Sequence, residues 1–266
     1  MSVVVNFESH RHDNEGVKIA SDVLLVEEAM EININGQPFT VTMRTPGDDA
    51  ALIRGLLHSE SVISQETEIQ IVYKKDIENR ATIANVILES QSIIKLEFSD
   101  RSMMSVSSCG ICGKTDIDAL GLDGDRISKT CQLSLNQLND LFAKMEKEQR
   151  AFLMSGGAHA AAIFDRHGNL LTIKEDIGRH NAVDKVIGDL ILSKTYNNAM
   201  VLLVSGRTSF EIVSKAAKAN IPILAAVSAP SSLAVSCSDQ MNLTLLGFCR
   251  EGRATCYSHF ERIEKP

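Results

Sequence analysis

The stretch AMVLLVSGRTSFEIVSKAAKANIPILAAV, residues 199–227, decides the fold class of this chain of 266 residues. A continuous apolar run at 199–204 predicts a buried strand, 209–219 predicts a helix, and a second apolar run at 223–227 predicts another strand. Strands that alternate with helices are typical of an α/β sandwich with a mostly parallel or mixed sheet. We therefore expect this stretch to lie at the centre of such a sheet.

The alternation continues on both sides of this stretch. The segments 160–164 and 170–174 are predicted strands around a turn at 166–169, and 181–194 is a predicted helix. A short helix at 231–237 and a strand at 243–246 follow. Upstream, Ser134 and Gln137 match a capping box. The helix that they begin has an apolar face for which we expect burial, made of Leu135, Leu138, Leu141, Phe142 and Met145. Residues 132–266 therefore form the larger predicted domain.

The first part of the chain predicts a smaller α+β domain at 21–100. Asn35-Gly36 between two alternating runs is the pattern of a β-hairpin, and Thr45 with Pro46 predicts the start of a helix. Further strand-like runs lie at 69–73, 82–88 and 93–98. Residues 1–20 are polar, and we expect a flexible, frayed N-terminus there.

Composition restricts the function classes. The formal net charge of −7 and the absence of Trp argue against nucleic acid as a partner. No apolar run approaches the about 18 residues that a membrane span needs, and the N-terminus does not resemble a signal peptide. We therefore expect a cytoplasmic protein without a membrane partner. In that reducing compartment, its 6 cysteines are poor candidates for structural disulfides.

The segment 101–131 shows no periodicity and is predicted to be a mobile loop that carries two thiols, Cys109 and Cys112, in Ser-Ser-Cys-Gly-Ile-Cys-Gly-Lys. Four interpretations compete. A zinc site lacks further ligands nearby, and a dithiol oxidoreductase normally has this motif at a helix start. Two incidental core cysteines would need an apolar face, which this segment lacks. The fourth interpretation is a thiol that accepts and passes on a group through a covalent intermediate.

Polar clusters follow several predicted strands or precede them. His159 ends the glycine-rich segment 155–159, and His180 lies in the charged segment 175–181 at a strand-to-helix junction. Gly206 and Arg207 form a similar junction, where helix amides bind anions. A further candidate binding segment contains Phe248, Cys249, Arg250, Glu251, Gly252 and Arg253. Helix caps and an exposed charged turn are the structural alternatives.

Together these blocks resemble the FdhD family of sulfur carriers, which formate dehydrogenase requires for activity. The matching blocks, in family order, lie at 108–114, 156–161, 175–185, 205–211, 226–234 and 247–250. The resemblance implies a cytidine-deaminase-like three-layer α/β sandwich for the larger domain. Deaminase activity itself is excluded, because His159 is not followed by the required Glu and Pro230 is followed by Ser231 instead of Cys.

The resemblance also implies a function. Cys109 would carry a persulfide taken from a cysteine desulfurase, with Cys112 as its helper. The substrate would be the molybdenum or tungsten bis-guanine-dinucleotide cofactor of formate dehydrogenase, such as Mo-bis(molybdopterin guanine dinucleotide), with guanine nucleotides as mimics. Residues 248–253 would bind it together with the junctions at His159, His180 and Gly206-Arg207. A homodimer would hold its two nucleotide arms. A cofactor-binding chaperone without sulfur transfer and a dithiol redox protein remain alternatives.

Overall fold

The computed structural model describes residues 2–89 and 126–265. Its strands are β1 Val4–Asp13, β2 Gly16–Leu25, β3 Glu28–Ile34, β4 Gln37–Arg44, β5 Gln70–Lys75, β6 Ala81–Ile87, β7 His159–Phe164, β8 Leu170–Asp176, β9 Val201–Val204, β10 Ile223–Ala226, β11 Thr244–Arg250 and β12 Arg253–Ser258. Its α-helices are α1 Asp49–Ser59, α2 Leu135–Glu148, α3 Arg150–Ser155, α4 Arg179–Leu192, α5 Phe210–Lys218 and α6 Ser232–Gln240. No helix in these two ranges is long and apolar enough to cross a membrane.

The larger unit is built on a six-stranded sheet in the order β12-β11-β10-β9-β7-β8. Strands β9, β10 and β11 are parallel, as the alternation predicted, whereas β7, β8 and β12 join through antiparallel pairs. Helices α4, α5 and α6 pack on one face, and α2 packs on the other. The predicted fold class, a three-layer α/β sandwich with a smaller α+β unit before it, is confirmed.

The smaller unit is a four-stranded sheet in the order β4-β3-β6-β5 with α1 against its apolar face. Its β3–β4 hairpin turns at Asn35 and Gly36, whose φ angles of 49° and 79° are those of a tight hairpin turn. The hairpin prediction is therefore confirmed. The strand predicted at 93–98 lies outside the described residues.

The helix of this unit begins later than predicted. Helix α1 starts at Asp49, and Thr45 is not its cap. Instead, the Thr45 backbone N–H donates to Asp176 Oδ2 at 3.1 Å, and Thr45 Oγ1 accepts from the Ile177 N–H at 3.1 Å. Thr45 thus makes a contact between the two units, which a local capping pattern does not reveal.

The N-terminus also differs from the prediction. Instead of a frayed segment over residues 1–20, the chain forms an antiparallel hairpin in which Val4 pairs with Leu25 and Asp13 with Gly16. Cross-strand pairs such as Ser9 Oγ to Asp22 Oδ2, 2.5 Å, support it. The prediction failed because both faces of these strands carry polar residues, so no buried side alternates clearly along the sequence.

Further details of the larger unit confirm or correct the sequence reading. Ser134 and Gln137 form the predicted capping box at the start of α2. Leu135 is 40% exposed and is not part of the buried face. Of the predicted loop at 101–131, residues 126–131 are described, and Ile127 is buried in the core beside α6, where its N–H donates to Met241 O. The remainder of that loop lies outside the described residues.

The two units meet along α1 and α4, which cross at two glycines. A Cβ atom added at Gly55 would lie 1.8 Å from the Asp184 carbonyl oxygen, and one added at Gly188 would lie 1.9 Å from the Ala51 carbonyl oxygen. Only residues without a side chain allow this approach. The Asp184 carboxylate, itself fully buried, accepts from Lys215 Nζ at 2.7 Å and from Ser59 Oγ at 2.9 Å. The interface is therefore closely packed, and a hydrogen bond from Ser59 to a buried, ion-paired carboxylate also joins the two units.

Candidate functional site

The polar segments that the sequence indicated as binding candidates lie at one end of the large sheet, the end at which its parallel strands terminate. We call this end of the sheet the edge. The carboxyl ends of β8, β9, β10 and β11 lie at this edge with the amino end of β7, because β7 runs antiparallel to its neighbours. Helices α4, α5 and α6 all begin there. In α/β proteins ligands bind at this edge, and helix N-termini attract anions. The sheet topology therefore defines the candidate site.

His159 lies at this edge on β7, between β9 and β8. It is the first residue of β7 and pairs with Asp176 of β8. A Cβ added at Gly206 would lie 3.3 Å from His159 Nδ1 and 3.6 Å from Arg179 Cβ, so the predicted turn at Gly206 passes directly beside both side chains. Burial lowers the pKa of His159, and the positive charge of Arg179 lowers it further. The neutral imidazole is therefore favoured at this position.

His180 connects the beginnings of two helices. Its Nε2 lies 2.7 Å from Glu211 Oε2 and 3.1 Å from Ser209 Oγ, and Ser209 Oγ donates to the same carboxylate oxygen at 3.2 Å. Glu211 was not among the predicted site residues. The signal for it was a carboxylate in the first turn of the helix that follows the Gly206-Arg207 turn. The contact fixes the position of the His180 ring at the edge of the site.

Two polar side-chain atoms at this edge are buried without a hydrogen-bond partner among the described residues. They are Arg179 Nε and Thr208 Oγ1. Thr208 is only 1% exposed, and its backbone bridges to the next loop through Ala229 O and Ser231 N. Buried polar atoms nearly always have a partner in folded proteins. Unpartnered donors at this edge therefore favour a binding function over simple helix capping.

A cavity of about 240 Å³ opens where this edge meets the smaller unit. The larger unit contributes His159 and the segment 177–181, in which Arg179 and His180 are the first residues of α4. The smaller unit contributes Val41, Thr42 and Met43 of β4 and, just before β3, Glu27. The sequence did not predict this contribution, because nothing in the β3–β4 hairpin pattern indicates what its outer face approaches.

A buried network holds the segment 177–181, which leads into α4, in place. Asp176, which is fully buried, accepts from Lys185 Nζ at 2.8 Å, from the Gly178 N–H at 2.8 Å and from Asn181 Nδ2 at 3.0 Å. Asn181 Nδ2 also donates to Met43 O of β4 at 2.7 Å. Since every group here has a partner, the network positions Arg179 and His180 relative to the smaller unit.

The segment 248–253 comprises the end of β11, the turn at Glu251-Gly252 and the first residue of β12, and it projects beyond the sheet. Pairing of β11 with β10 ends at Leu246, so the rest of β11 extends past the edge by on the order of 10 Å. Phe248 has a φ of 53° and is 42% exposed at an irregularity of the strand. Arg250 and Arg253 are exposed, and Arg253 pairs with Glu251 at 2.6 Å. Phe248 and the arginines are therefore accessible to a ligand.

Cys249 is positioned differently from its neighbours. It is 4% exposed and packs in the core between the sheet and α2, and burial raises its pKa to about 12. This corrects its prediction as a binding residue, since alternation along β11 directs its side chain inward. Burial also raises the pKa of the Cys131, Cys237 and Cys256 thiols. None of the described cysteines is thus an activated nucleophile.

Cys109 and Cys112 lie outside the described residues, so their predicted chemistry stays a prediction. Within residues 2–89 and 126–265, no group of three or more His, Cys, Asp or Glu side chains is arranged to hold a metal ion. The described site is thus an anion-attracting sheet edge with two arginines, two histidines and an adjoining cavity. It fits the binding of a phosphate-bearing ligand.

Comparison with a known structure defines the class of the fold. Over 99% of this chain and 100% of the other, the fold matches the crystal structure of a protein assigned as a formate dehydrogenase accessory protein from Desulfotalea psychrophila, with a TM-score of 0.78 and 20% identity. At that identity the match concerns the fold.

The sequence defines the family. The model of the FdhD/NarQ family matches residues 25–264, and the chain belongs to this family. Among its relatives, the sulfur carrier protein FdhD of Streptomyces coelicolor is 42% identical over 93% of this chain and 91% of its own. The sulfur carrier protein FdhD of Picrophilus torridus is 42% identical over 92% of this chain and 94% of its own. That of Mycobacterium tuberculosis is 40% identical over 91% of this chain and 92% of its own.

Proposed function

We propose that this protein is a sulfurtransferase that carries sulfur as a persulfide on Cys109 and delivers it to the cofactor of formate dehydrogenase. The observation that carries the proposal is its similarity, at about 40% identity over nine-tenths of the chain, to proteins named sulfur carrier protein FdhD. The motif Cys109-Gly110-Ile111-Cys112 supplies the thiols that such a function requires.

Sulfur loading is a thiol exchange. The Cys109 thiolate attacks the outer sulfur of a persulfide on a cysteine desulfurase, a new S–S bond forms on Cys109, and the desulfurase thiolate leaves.

Delivery of the outer persulfide sulfur as sulfide requires that this sulfur gain two electrons. They come from the Cys112 thiolate, which attacks the inner sulfur of Cys109, forms a disulfide with it and releases sulfide for the metal. A cellular dithiol reductant then restores both thiols. Lys114, close in sequence, favours the thiolate forms.

The substrate that we propose is the molybdenum or tungsten bis-guanine-dinucleotide cofactor, whose pyrophosphates are anions. The Gly206-Arg207 turn, the α5 N-terminus and the unpartnered Arg179 Nε and Thr208 Oγ1 suit phosphate oxygens. Phe248, Arg250 and Arg253 form an accessible segment that extends beside this edge. We further propose that the protein acts in the cytoplasm as a homodimer, with the desulfurase and formate dehydrogenase as partners.

A cofactor-binding chaperone that transfers no sulfur is the second candidate. This candidate is favoured because the described residues that form the anion-attracting edge include no cysteine, so ligand binding there does not need a thiol. In this case the thiols would be dispensable, whereas the arginines would not.

One experiment separates the two. The protein is incubated with a cysteine desulfurase and cysteine, and the Cys109 peptide is examined by mass spectrometry for one added sulfur atom. Activation of formate dehydrogenase is measured in parallel for Cys109→Ala and for the double variant with Cys112→Ala. We expect the adduct in the wild-type protein and no activation by either variant.

Cys131→Ala is the matched control, because Cys131 is a free, partly buried thiol whose pKa is raised by burial. It should load sulfur and activate the enzyme normally. Full activation by the double variant would overturn sulfur transfer and support the chaperone. A reversible Cys109–Cys112 disulfide without any sulfur adduct would instead support a dithiol redox protein.

A further inference from the structure

Almost all of the N-terminal hairpin lies outside the range that the family model matches, which begins at residue 25. Strand β1 of this hairpin carries His10 and His12, separated by one residue. Its pairing with β2 runs from Val4 to Asp13 with no residue skipped. Alternate residues of such a strand point to the same face. His10 and His12 therefore share one face of the hairpin, and both are exposed.

The spacing of these two histidines suits the chelation of one metal ion. Two residues of an extended strand span about 6.7 Å, and an imidazole on each of them is long enough to lean toward the other. One ring nitrogen of each can therefore reach the roughly 2.0–2.1 Å at which imidazole binds zinc. Histidines at adjacent positions of a strand would point to opposite faces and could not share an ion.

The cations of the hairpin lie on its other face. Arg11 and Lys18 are cross-strand partners there. Arg11 pairs with Asp22 at 3.2 Å, and Lys18 pairs with Asp13 at 3.1 Å. Both positive charges thus have carboxylate partners and are separated from the histidines by the thickness of the sheet. The hairpin therefore presents no unpaired positive charge that would repel a metal ion on the histidine face.

The histidine face leaves the two imidazoles available. His10 and His12 make no hydrogen bond or ion pair with any residue that the structure describes. Directly opposite them on β2 stand Ile19 and Val17, which are 72% and 57% exposed and cannot hydrogen-bond to a ring nitrogen. Glu8, two residues before His10 on the same face, adds a negative charge that attracts cations.

We propose that His10 and His12 form a binding site for a divalent late transition-metal ion, Ni²⁺ or Zn²⁺. Imidazole is a preferred ligand of these ions, whereas Mg²⁺ and Ca²⁺ prefer oxygen ligands. Because no three candidate ligands are grouped for a metal within residues 2–89 and 126–265, the protein supplies two ligands and water completes the coordination. The site belongs to the hairpin alone and does not depend on sulfur transfer.

Metal binding should order the hairpin. A two-stranded hairpin is marginally stable on its own, and most residues of β1 are exposed. The two imidazoles share a face only while β1 is extended, so the ion binds the folded hairpin more tightly than the unfolded segment. At about 100 times its Kd, a ligand that binds only the folded form lowers the unfolded fraction about 100-fold. Amide hydrogen exchange of the hairpin should slow by up to that factor.

The test is titration of the untagged full-length protein with Ni²⁺, Zn²⁺ and Mg²⁺, with hydrogen exchange of residues 4–25 measured by mass spectrometry. Thiols also bind Ni²⁺ and Zn²⁺, so the double variant Cys109→Ala, Cys112→Ala is the reference protein. We expect Ni²⁺ and Zn²⁺ to slow exchange in the hairpin and Mg²⁺ to have no effect. His10→Gln and His12→Gln should each weaken binding by roughly 10-fold or more, because a single imidazole loses the chelate.

Two controls separate chelation from simple histidine content. Arg11→His combined with His12→Arg keeps the composition but puts the second imidazole on the opposite face, so it should lose binding like His12→Gln. His167→Gln removes an exposed histidine that has no second histidine two residues away, and it should bind like the reference protein.

Three results would each overturn the inference. They are unchanged exchange of the hairpin with Ni²⁺ and Zn²⁺, slower exchange confined to other segments, and an affinity that stays the same in His10→Gln or in the exchanged Arg11 and His12 variant. The Gln variants replace exposed side chains and keep β1 extended. Their exchange without metal should therefore match that of the reference protein.

Discussion

Replacing Gly188 by alanine tests how the two units are held together. A Cβ at this position would lie 1.9 Å from the Ala51 carbonyl oxygen and 2.7 Å from the Gly55 nitrogen, whereas real Cβ atoms essentially never approach closer than 3.0 Å. Both obstructing atoms belong to the backbone of α1, so no side chain can rotate away. The helices would have to separate by about 1 Å or more at their crossing.

The expected cost follows from two opposing effects. Overfilling a packed core typically costs about 1–3 kcal/mol, and a clash with backbone belongs at the upper end of that range. Alanine in place of glycine inside a helix stabilises it by about 1 kcal/mol. The clash therefore prevails, and we expect Gly188→Ala to lower the free energy of unfolding by about 2 kcal/mol.

Urea unfolding followed by circular dichroism measures this difference. Gly157→Ala is the control, because a Cβ there would meet only Ser155 Oγ at 3.8 Å and Leu25 Cβ at 3.9 Å, in ordinary contact. Its stability should stay within about 0.5 kcal/mol of the wild-type protein. If Gly188→Ala unfolded at the same or a higher urea concentration than the wild-type protein, the close crossing of α1 and α4 would be refuted.

Two further predictions concern ionisable groups at the same interface. Lys185→Met leaves the Asp176 carboxylate buried without its counter-ion and should lower the free energy of unfolding by about 3–5 kcal/mol. Adding Asp176→Asn to this variant should recover much of the loss. Equal losses in the single and the double variant would contradict ion pairing as the cause. Burial lowers the pKa of His58, whose Nε2 contacts Tyr196 Oη at 2.8 Å. The unfolded state therefore binds a proton at a higher pH than the folded state does, so the free energy of unfolding should decrease as the pH falls below about 6.5, by up to about 1.4 kcal/mol per pH unit. Urea titrations of His58→Gln should lack this pH-dependent loss of stability. A difference in stability between variant and wild-type protein that does not vary with pH would exclude a contribution of His58.

Local patterns predicted the elements well where one face of a segment is buried. The apolar runs at 199–204 and 223–227 became the central strands β9 and β10 because they are covered on both faces. Asn35-Gly36 formed its hairpin and Ser134 its capping box because both depend on neighbouring residues alone. The N-terminal hairpin escaped prediction for the opposite reason, since its strands are mostly exposed and show no apolar alternation.

The candidate site was predicted in part. His159, His180, Gly206 and Arg207 follow or precede strands, and the ends of neighbouring strands meet at one sheet edge. Cys249 was misassigned, because a motif does not tell which residues of a strand face the core. Thr45 was misassigned as a cap, because its partners Asp176 and Ile177 lie more than a hundred residues away along the chain.

The sequence by itself determined the fold class, the polar segments at the strand ends and the family, since these depend on residue type and order. Only the tertiary structure brought Glu27 and β4 to the start of α4, where Arg179 lies. It also showed that Glu211 holds His180 and that Gly55 and Gly188 let two helices touch. Each of these features depends on where distant segments meet in space, and that is decided by the packing of the two units and not by any local pattern.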